Sequence, residues 1–138
     1  MKLTRRDALA LGAGAAALTF APHMALAAGE EEIAEFTGGA EIGTGDITLT
    51  APEIAENGNT VPISVEAPGA EAIMVLALGN PSPDVATFNF GPMAGSHMAS
   101  TRIRLAGTQD VLAVAKMPDG SFIQDQKTVK VTIGGCGG

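Results

Sequence analysis

Short apolar runs separated by turn residues make up most of the chain after position 41. In five of these runs apolar and polar residues alternate, a pattern typical of strands that bury one face. The five alternating runs are 46–50, 60–67, 85–90, 100–106 and 127–133. Residues 72–78 are apolar throughout and predict a central strand buried on both faces, 111–116 predict another strand, and 122–123 a short strand or a loop edge. About seven short strands at this spacing predict a single domain, an all-β, immunoglobulin-like antiparallel β-sandwich.

The turns and the last strand carry more specific expectations. Asn57-Gly58 predicts a tight turn of the kind that joins hairpins. Pro62 has no N–H to donate, so its strand is predicted to begin at a sheet edge or at a bulge. In the last strand, Val129, Val131 and Ile133 are predicted to point inward and to fix the position at which the chain leaves the sheet.

A short acidic segment precedes the strands. Residues 30–36 contain four glutamates, with Ile33 and Phe36 three positions apart. This spacing predicts one short amphipathic helix that Gly38-Gly39 ends. A disordered acidic leader is the alternative interpretation.

Residues 1–27 have the features of an export signal. Lys2 and the pair Arg5-Arg6 form a basic start, an apolar run follows over 8–21, and Ala25 and Ala27 provide a small-x-small cleavage site. Adjacent arginines indicate the twin-arginine route, which delivers folded proteins to the bacterial periplasm. The apolar run is shorter than the ~20 residues of a membrane-spanning helix, so an uncleaved anchor is the less favoured alternative.

The remaining 111 residues, 28–138, are acidic. Without the signal the chain has five basic and fourteen acidic residues, a net charge of −9. This charge disfavours nucleic-acid binding, which needs clustered lysine and arginine. It would also repel an anionic ligand, so that covalent attachment is the better way to hold one.

The composition also bears on stability. The chain has no Trp or Tyr and a single cysteine, so its core must be largely aliphatic and no disulfide can form within it. Residues 72–78 are apolar on both faces, and an exposed apolar sheet face invites a partner subunit. We therefore expect the isolated chain to be only marginally stable as a monomer.

The candidate chemistry lies in residues 134–138, Gly134-Gly135-Cys136-Gly137-Gly138. Glycine lacks a Cβ and has few conformational restrictions, so the four glycines predict a swinging arm that leaves the Cys136 thiol accessible. An unpaired cysteine in an exported chain indicates intermolecular pairing or a reactive thiol. The alternative is that these residues are only a linker.

Other polar residues provide no second site. His97 is predicted to be a loop residue, because one histidine and one distant cysteine do not make a metal site or a fixed catalytic pair. Arg102 and Arg104 point outward and could bind an anion or carboxylates, although a solvated strand face is the simpler interpretation. The methionines are interpreted as core and interface residues rather than copper ligands. No catalytic residue, metal or cofactor is predicted, so the chain is expected not to be an enzyme.

Several segments of the sequence resemble a known protein family. Residues 129–138, with their single cysteine, are similar to the end of the SoxY family, the sulfur-carrier subunits of the periplasmic sulfur-oxidising (Sox) system. The similarity continues in 55–62, in 101–106 and in 114–116, and the twin-arginine signal fits. The resemblance therefore extends over essentially the whole chain.

The resemblance implies a function and a set of partners. Residues 28–133 would be the carrier domain, and Cys136 would carry thiosulfate-derived sulfur covalently. The carrier would pair with a SoxZ-like β-sandwich subunit that lacks a signal and is exported with it. A haem c-containing enzyme would attach thiosulfate, a hydrolase would release sulfate, and in some organisms a sulfane dehydrogenase would oxidise the remaining sulfur.

Two other functions remain as alternatives. The first is a structural periplasmic sandwich module that is cross-linked through Cys136. The second is a ubiquitin-like sulfur carrier that holds sulfur as a thiocarboxylate on Gly138, which the export signal argues against.

Overall fold

The computed structural model describes residues 29–133, which form one helix and nine strands. The helix α1 spans Glu30–Thr37, and the strands are β1 (Ile42–Gly43), β2 (Thr48–Thr50), β3 (Ile54–Ala55), β4 (Val61–Glu66), β5 (Ala72–Ala77), β6 (Asp84–Asn89), β7 (Met98–Ile103), β8 (Gln109–Lys116) and β9 (Phe122–Val131). The larger sheet has the order β1-β9-β8-β5-β6, with β3 also paired to β9, and the smaller has the order β2-β4-β7. The predicted immunoglobulin-like sandwich is therefore confirmed.

The two sheets enclose an aliphatic core. The larger sheet contributes residues such as Ile73, Val75 and Val111, and the smaller contributes Val61 and Val65, all at most 1% exposed. Alternation places these side chains inward, because successive residues of a strand face opposite sides of the sheet. The strand predicted to be central is indeed interior: all six residues of β5 are buried, and β8 and β6 pair with it on its two edges.

The outer face of the larger sheet is covered by the chain's own helix. Met74, Leu76 and Phe122 of this face are buried, and Ile33 and Phe36 of α1 pack against them. The rings of Phe36 and Phe122 meet edge to face, with centroids 5.8 Å apart. The second face of β5 was expected to be exposed in the isolated chain and to invite a partner subunit. That expected exposure is wrong, because α1 packs against this face, and the partner subunit stays a prediction.

Truncation of Phe36 tests this arrangement. Phe36→Ala is expected to lower the free energy of unfolding by ~1–3 kcal/mol, through lost apolar burial and the lost ring contact. Glu31→Ala, an exposed change on the same helix, should stay within ~0.5 kcal/mol of the unchanged protein. Urea denaturation of the two variants measures the difference. Equal stabilities would show that α1 does not hold the outer face.

The helix ends at Thr37, directly before Gly38-Gly39, as the sequence predicted. Gly38 caps α1 in the left-handed conformation, with φ 66°, and Gly39 follows with φ 86°. Glycine adopts these angles without the steric cost of a Cβ.

The strand that leads to the arm is longer than predicted. Residues 122–123 and 127–131 belong to one continuous ten-residue strand, β9, rather than to two separate elements. Val129 is fully buried and Val131 is half-buried, whereas Ile133 lies beyond the strand and is 67% exposed. The prediction that Ile133 points inward is therefore wrong, because the sheet ends before this residue.

The Asn57-Gly58 turn and the strand that contains Pro62 are connected differently from the prediction. The turn at Asn57-Gly58 exists but does not join a hairpin, because β3 before it pairs with β9 and β4 after it pairs with β2 and β7. Pro62 lies near the start of β4, which is the middle strand of its sheet. Strand β2 pairs only with residues from Ser64 onward, so Pro62 has a paired neighbour, Arg102, on the β7 side alone. Its missing N–H therefore costs the sheet little.

A side chain also links the two sheets. The Asp125 carboxylate, midway along β9, accepts a hydrogen bond of 2.8 Å from the backbone N–H of Leu49 in β2. Strand β1 pairs with the start of β9 and strand β3 with its end. Both short strands run parallel to β9 and pair with the same edge of it. Asp125 therefore fixes β2 of the smaller sheet to the stretch of β9 between the segments that pair with β1 and β3.

Candidate functional site: the base of the C-terminal arm

The predicted attachment residue, Cys136, and the arm glycines Gly134, Gly135, Gly137 and Gly138 lie outside the described residues. The structure describes the chain up to Ile133, three positions before the thiol. What it shows of the site is therefore its base, the end of β9 and the segments that hold it.

Hydrogen bonds hold the backbone of the last residues before the arm on both sides. On one edge, the backbone N–H of Val131 donates to the hydroxyl of Thr108 at 3.0 Å. On the other edge, the N–H of Thr132 donates to the carbonyl of Ala55 at 3.0 Å, and the Thr132 hydroxyl donates to the carbonyl of Glu56 at 3.1 Å. These bonds continue the sheet beyond the last formal strand residue and fix the direction of the chain.

The peptide of Gly58 holds the final described residue. Its N–H donates to the carbonyl of Ile133 at 2.8 Å, and its own carbonyl accepts from the N–H of Leu105 at 2.8 Å. The side chain of Asn57 accepts from the N–H of Asn59 at 3.0 Å, which stabilises the turn. The arm base is therefore held through the Asn57-Gly58-Asn59 turn, and not by an inward Ile133 side chain.

A polar network orders the neighbouring connection between β7 and β8. Asn80 donates to the carbonyl of Arg104 at 2.8 Å and accepts from the N–H of Ala106 at 2.9 Å. Gln109, which is 8% exposed, donates to the Asn80 side chain and accepts from the N–H of Gly79. The connection that this network orders contains Leu105 and Thr108, both of which are bonded to the arm base or to its turn. Sequence reasoning missed this network because its members are about 30 residues apart.

The other predicted polar residues do not join the arm base. Arg102 and Arg104 are exposed as expected. Arg102 lines a shallow depression of about 600 Å³ on the outer face of the smaller sheet, together with Pro62 and Ser100.

His97 lies at the far end of the sandwich, in the connection before β7. Its Nδ1–H donates to the carbonyl of Ala70 at 2.6 Å, and its ring lies 5.3 Å from that of Phe90. It lines an open groove of about 930 Å³ that also contains Glu71 and Lys116. The six residues of β7 separate it by ~20 Å from the end of the sandwich that holds the arm. His97 is therefore a loop residue that fixes a turn, and it is not placed to act on a thiol at the arm.

Metal and membrane features are absent from the part of the chain that the structure describes. Residues 29–133 contain no group of three or more His, Cys, Asp or Glu side chains arranged to hold a metal ion. Within the same range, no helix is long and apolar enough to cross a membrane.

Comparison with known proteins identifies the family. Residues 33–136 match the family model described as sulfur oxidation protein SoxY. The chain belongs to the SoxY family. The match includes the position of Cys136, so the family pattern extends through the arm glycines to the candidate thiol.

A solved SoxY structure has the same fold. The sulfur carrier protein SoxY from Chlorobium limicola f thiosulfatophilum is 35% identical, with a TM-score of 0.68, and the alignment covers 78% of this chain and 99% of that one. Its whole length thus corresponds to the larger part of this chain. No curated protein matches the chain significantly.

More distant structures share the architecture alone. A superoxide reductase (neelaredoxin) from Ignicoccus hospitalis is 16% identical, with a TM-score of 0.56 over 64% of this chain and 81% of that one. A putative superoxide reductase from Thermotoga maritima is 17% identical, with a TM-score of 0.54 over 65% of this chain and 93% of that one. At these identities the likeness concerns the sandwich and carries no function to this chain.

Proposed function

We propose that this chain is a covalent carrier of sulfur-oxidation intermediates, which it holds on Cys136 and presents to partner enzymes. Cys136 is the single cysteine of the sequence and lies inside the range that matches the SoxY family. The observation that carries the proposal is its placement, between two pairs of glycines and three residues after a chain position held by backbone hydrogen bonds. The solved SoxY relative is itself described as a sulfur carrier.

The chemistry of a thiol suits this function. Sulfur forms and breaks S–S bonds reversibly, whereas an oxygen nucleophile could not hold a sulfur chain in this way. In the loading step, the Cys136 thiolate and the outer sulfur of thiosulfate would join in an S–S bond, and the haem-containing partner enzyme would take up the two electrons released, one at a time. In the release step, water attacks the sulfonate sulfur, sulfate and two protons leave, and a persulfide remains on Cys136.

Charge explains why attachment is covalent. Outside residues 1–27 the chain has a net charge of −9. A negatively charged protein does not concentrate anions such as thiosulfate at its surface. A covalent bond retains the anion despite this repulsion.

The partners and the compartment belong to the same proposal. The Arg5-Arg6 signal supports export of a folded protein to the periplasm. A second β-sandwich subunit without its own signal would travel with the chain as a heterodimer. Because α1 packs on the apolar part of the outer face of the larger sheet, this subunit would have to use a surface outside that part.

Intact mass spectrometry tests the proposal. Protein purified without reductant from cells grown on thiosulfate is expected to carry added masses of sulfur, polysulfide or thiosulfonate. Peptide mapping should place every adduct on Cys136. A stable mixed disulfide with one protein, and no sulfur adduct, would instead support a cross-linked structural module.

A further inference from the structure

We propose that Ile54 and Ile133 form a contact patch, here called the root patch, that an enzyme must touch when it takes the Cys136 thiol into its active site. The inference rests on the carrier function proposed above and adds the surface on which the partner enzyme docks. Three observations carry it: the length of chain between Ile133 and Cys136, the exposure of the two isoleucines, and their place at the end of the sandwich that holds the arm.

The chain between the sheet and the thiol is short. Cys136 is three residues after Ile133, and three residues span at most ~11 Å between Cα atoms. The origin of this span is held, because the Ile133 carbonyl accepts a hydrogen bond from Gly58. An enzyme pocket that encloses the thiol must therefore bring its rim within about this distance of Ile133.

Two exposed isoleucines lie near this origin, among polar neighbours such as Lys130 and Thr132. Ile133 is 67% exposed and Ile54 is 58% exposed. Ile54 is paired with Lys130 in the register of β3 and β9, three positions before Ile133, so the Cα atoms of the two isoleucines are no more than ~16 Å apart. The side chain of Ala55 points into the core, so that of its neighbour Ile54 points to the opposite face. Singly exposed apolar residues are ordinary on protein surfaces, so what distinguishes these two is their position beside the short span to the thiol.

The other large exposed apolar residues of residues 29–133, Met93 and Met98, lie elsewhere. Met98 begins β7, and Met93 lies in the connection before it, whereas the arm base lies beside the other end of that strand. The root patch is therefore separate from this second apolar region by the length of the sandwich. Because Met93 is more exposed still, at 94%, it provides a matched control.

The neighbouring charges describe the partner. Glu53 and Glu56 are exposed beside the patch, and so is Lys130, the strand partner of Ile54. The partner that fits is an enzyme whose pocket mouth has an apolar collar with charged side chains of both signs beside it. A patch of two side chains suits a small, short-lived interface, which a carrier needs because it must leave one enzyme before it meets the next.

The test compares Ile54→Arg and Ile133→Arg with Met93→Arg, each in the full exported chain. The probe is the haem enzyme purified from the same periplasm, which loads thiosulfate onto the chain, and loading is followed by intact mass. The two patch variants are expected to lose at least ~10-fold in kcat/KM, mainly through KM, because a charge is placed against an apolar collar. Met93→Arg should be loaded as the unchanged protein is. The rate at which iodoacetamide alkylates Cys136 should be the same in all four proteins.

Each outcome has a distinct meaning. Unchanged loading of both patch variants would overturn the root patch and leave the carrier function standing. Failure of the unchanged protein to accept sulfur on Cys136 would instead overturn the carrier function. Slower alkylation of a patch variant would show that the change acts on the thiol and not on docking, which also overturns the inference. Where an arginine variant does not fold, as judged by its Tm, Ile54→Ser and Ile133→Ser decide, with the same expected rise in KM.

Discussion

Cys136→Ser is expected to abolish every sulfur adduct on the chain and all thiosulfate oxidation that depends on it. Serine has nearly the same shape, but its hydroxyl cannot form the S–S bond on which loading depends. No other residue can replace the thiol, because the sequence has no second cysteine. The measurement is thiosulfate-dependent oxygen uptake by cells that carry the variant, together with intact mass of the purified chain.

Stability provides the control for this prediction. The described core is complete without residues 134–138, so the Tm of Cys136→Ser should match that of the unchanged protein within ~1 °C. Cys136→Ala should behave in the same way. Full thiosulfate oxidation by either folded variant would exclude Cys136 as the attachment residue.

Deletion of Gly134 and Gly135 is expected to stop enzymatic loading while the thiol stays chemically reactive. The deletion makes Cys136 the direct neighbour of Ile133, so the span from the fixed origin to the thiol-bearing residue falls from ~11 Å to ~4 Å. A pocket deeper than this cannot reach the sulfur without a clash between its rim and the sandwich. Because misplacement by even 1 Å can cost ~100-fold in rate, loading should fall by at least ~100-fold.

A second deletion serves as the matched control. Removal of Gly137 and Gly138 also takes away two glycines but leaves the spacing between Ile133 and Cys136 unchanged. This variant should be loaded at a rate much closer to that of the unchanged chain, and both should react equally with iodoacetamide. Equal loss of loading in the two deletions would show that the reach of the arm does not limit the reaction.

Local patterns predicted seven of the nine described strands, because alternation with period two depends only on neighbouring residues. They missed β1 and β3, which have only two residues each and are too short to show alternation. The burial of both faces of β5 was also readable, since Ala72–Ala77 are apolar throughout. The sequence did not show that α1 covers the outer face of β5. The amphipathic spacing in α1 shows that one side of the helix is apolar, but it does not show what that side packs against. The assumption that this face of β5 is exposed in the isolated chain was the resulting error.

At the arm base, too, the sequence indicated some features and not others. Cys136 stands out from its glycine neighbours and from the absence of other cysteines. The inward assignment of Ile133 failed because alternation was extended past the last sheet residue, and only the pairing partners show where a sheet stops. The function of Gly58 was hidden for a different reason: Asn-Gly indicates a turn, but its bonds to Leu105 and Ile133 join segments about 47 and 75 positions away.

The parallel pairing of β1 and β3 with β9 has a kinetic consequence. Ile42 pairs with Phe122 and Ile54 with Lys130, partners that are 80 and 76 positions apart. Such a high contact order makes folding slow, because most of the chain must be ordered before these pairs form. Strand β9 is synthesised after the other eight described strands, so its pairing with β3, the Gly58 bond and the fixed origin of the arm can form only after residues up to 133 have left the ribosome. A chain in which β9 is not yet paired therefore has no fixed origin at Ile133, and under the carrier function proposed above such immature molecules would be loaded poorly.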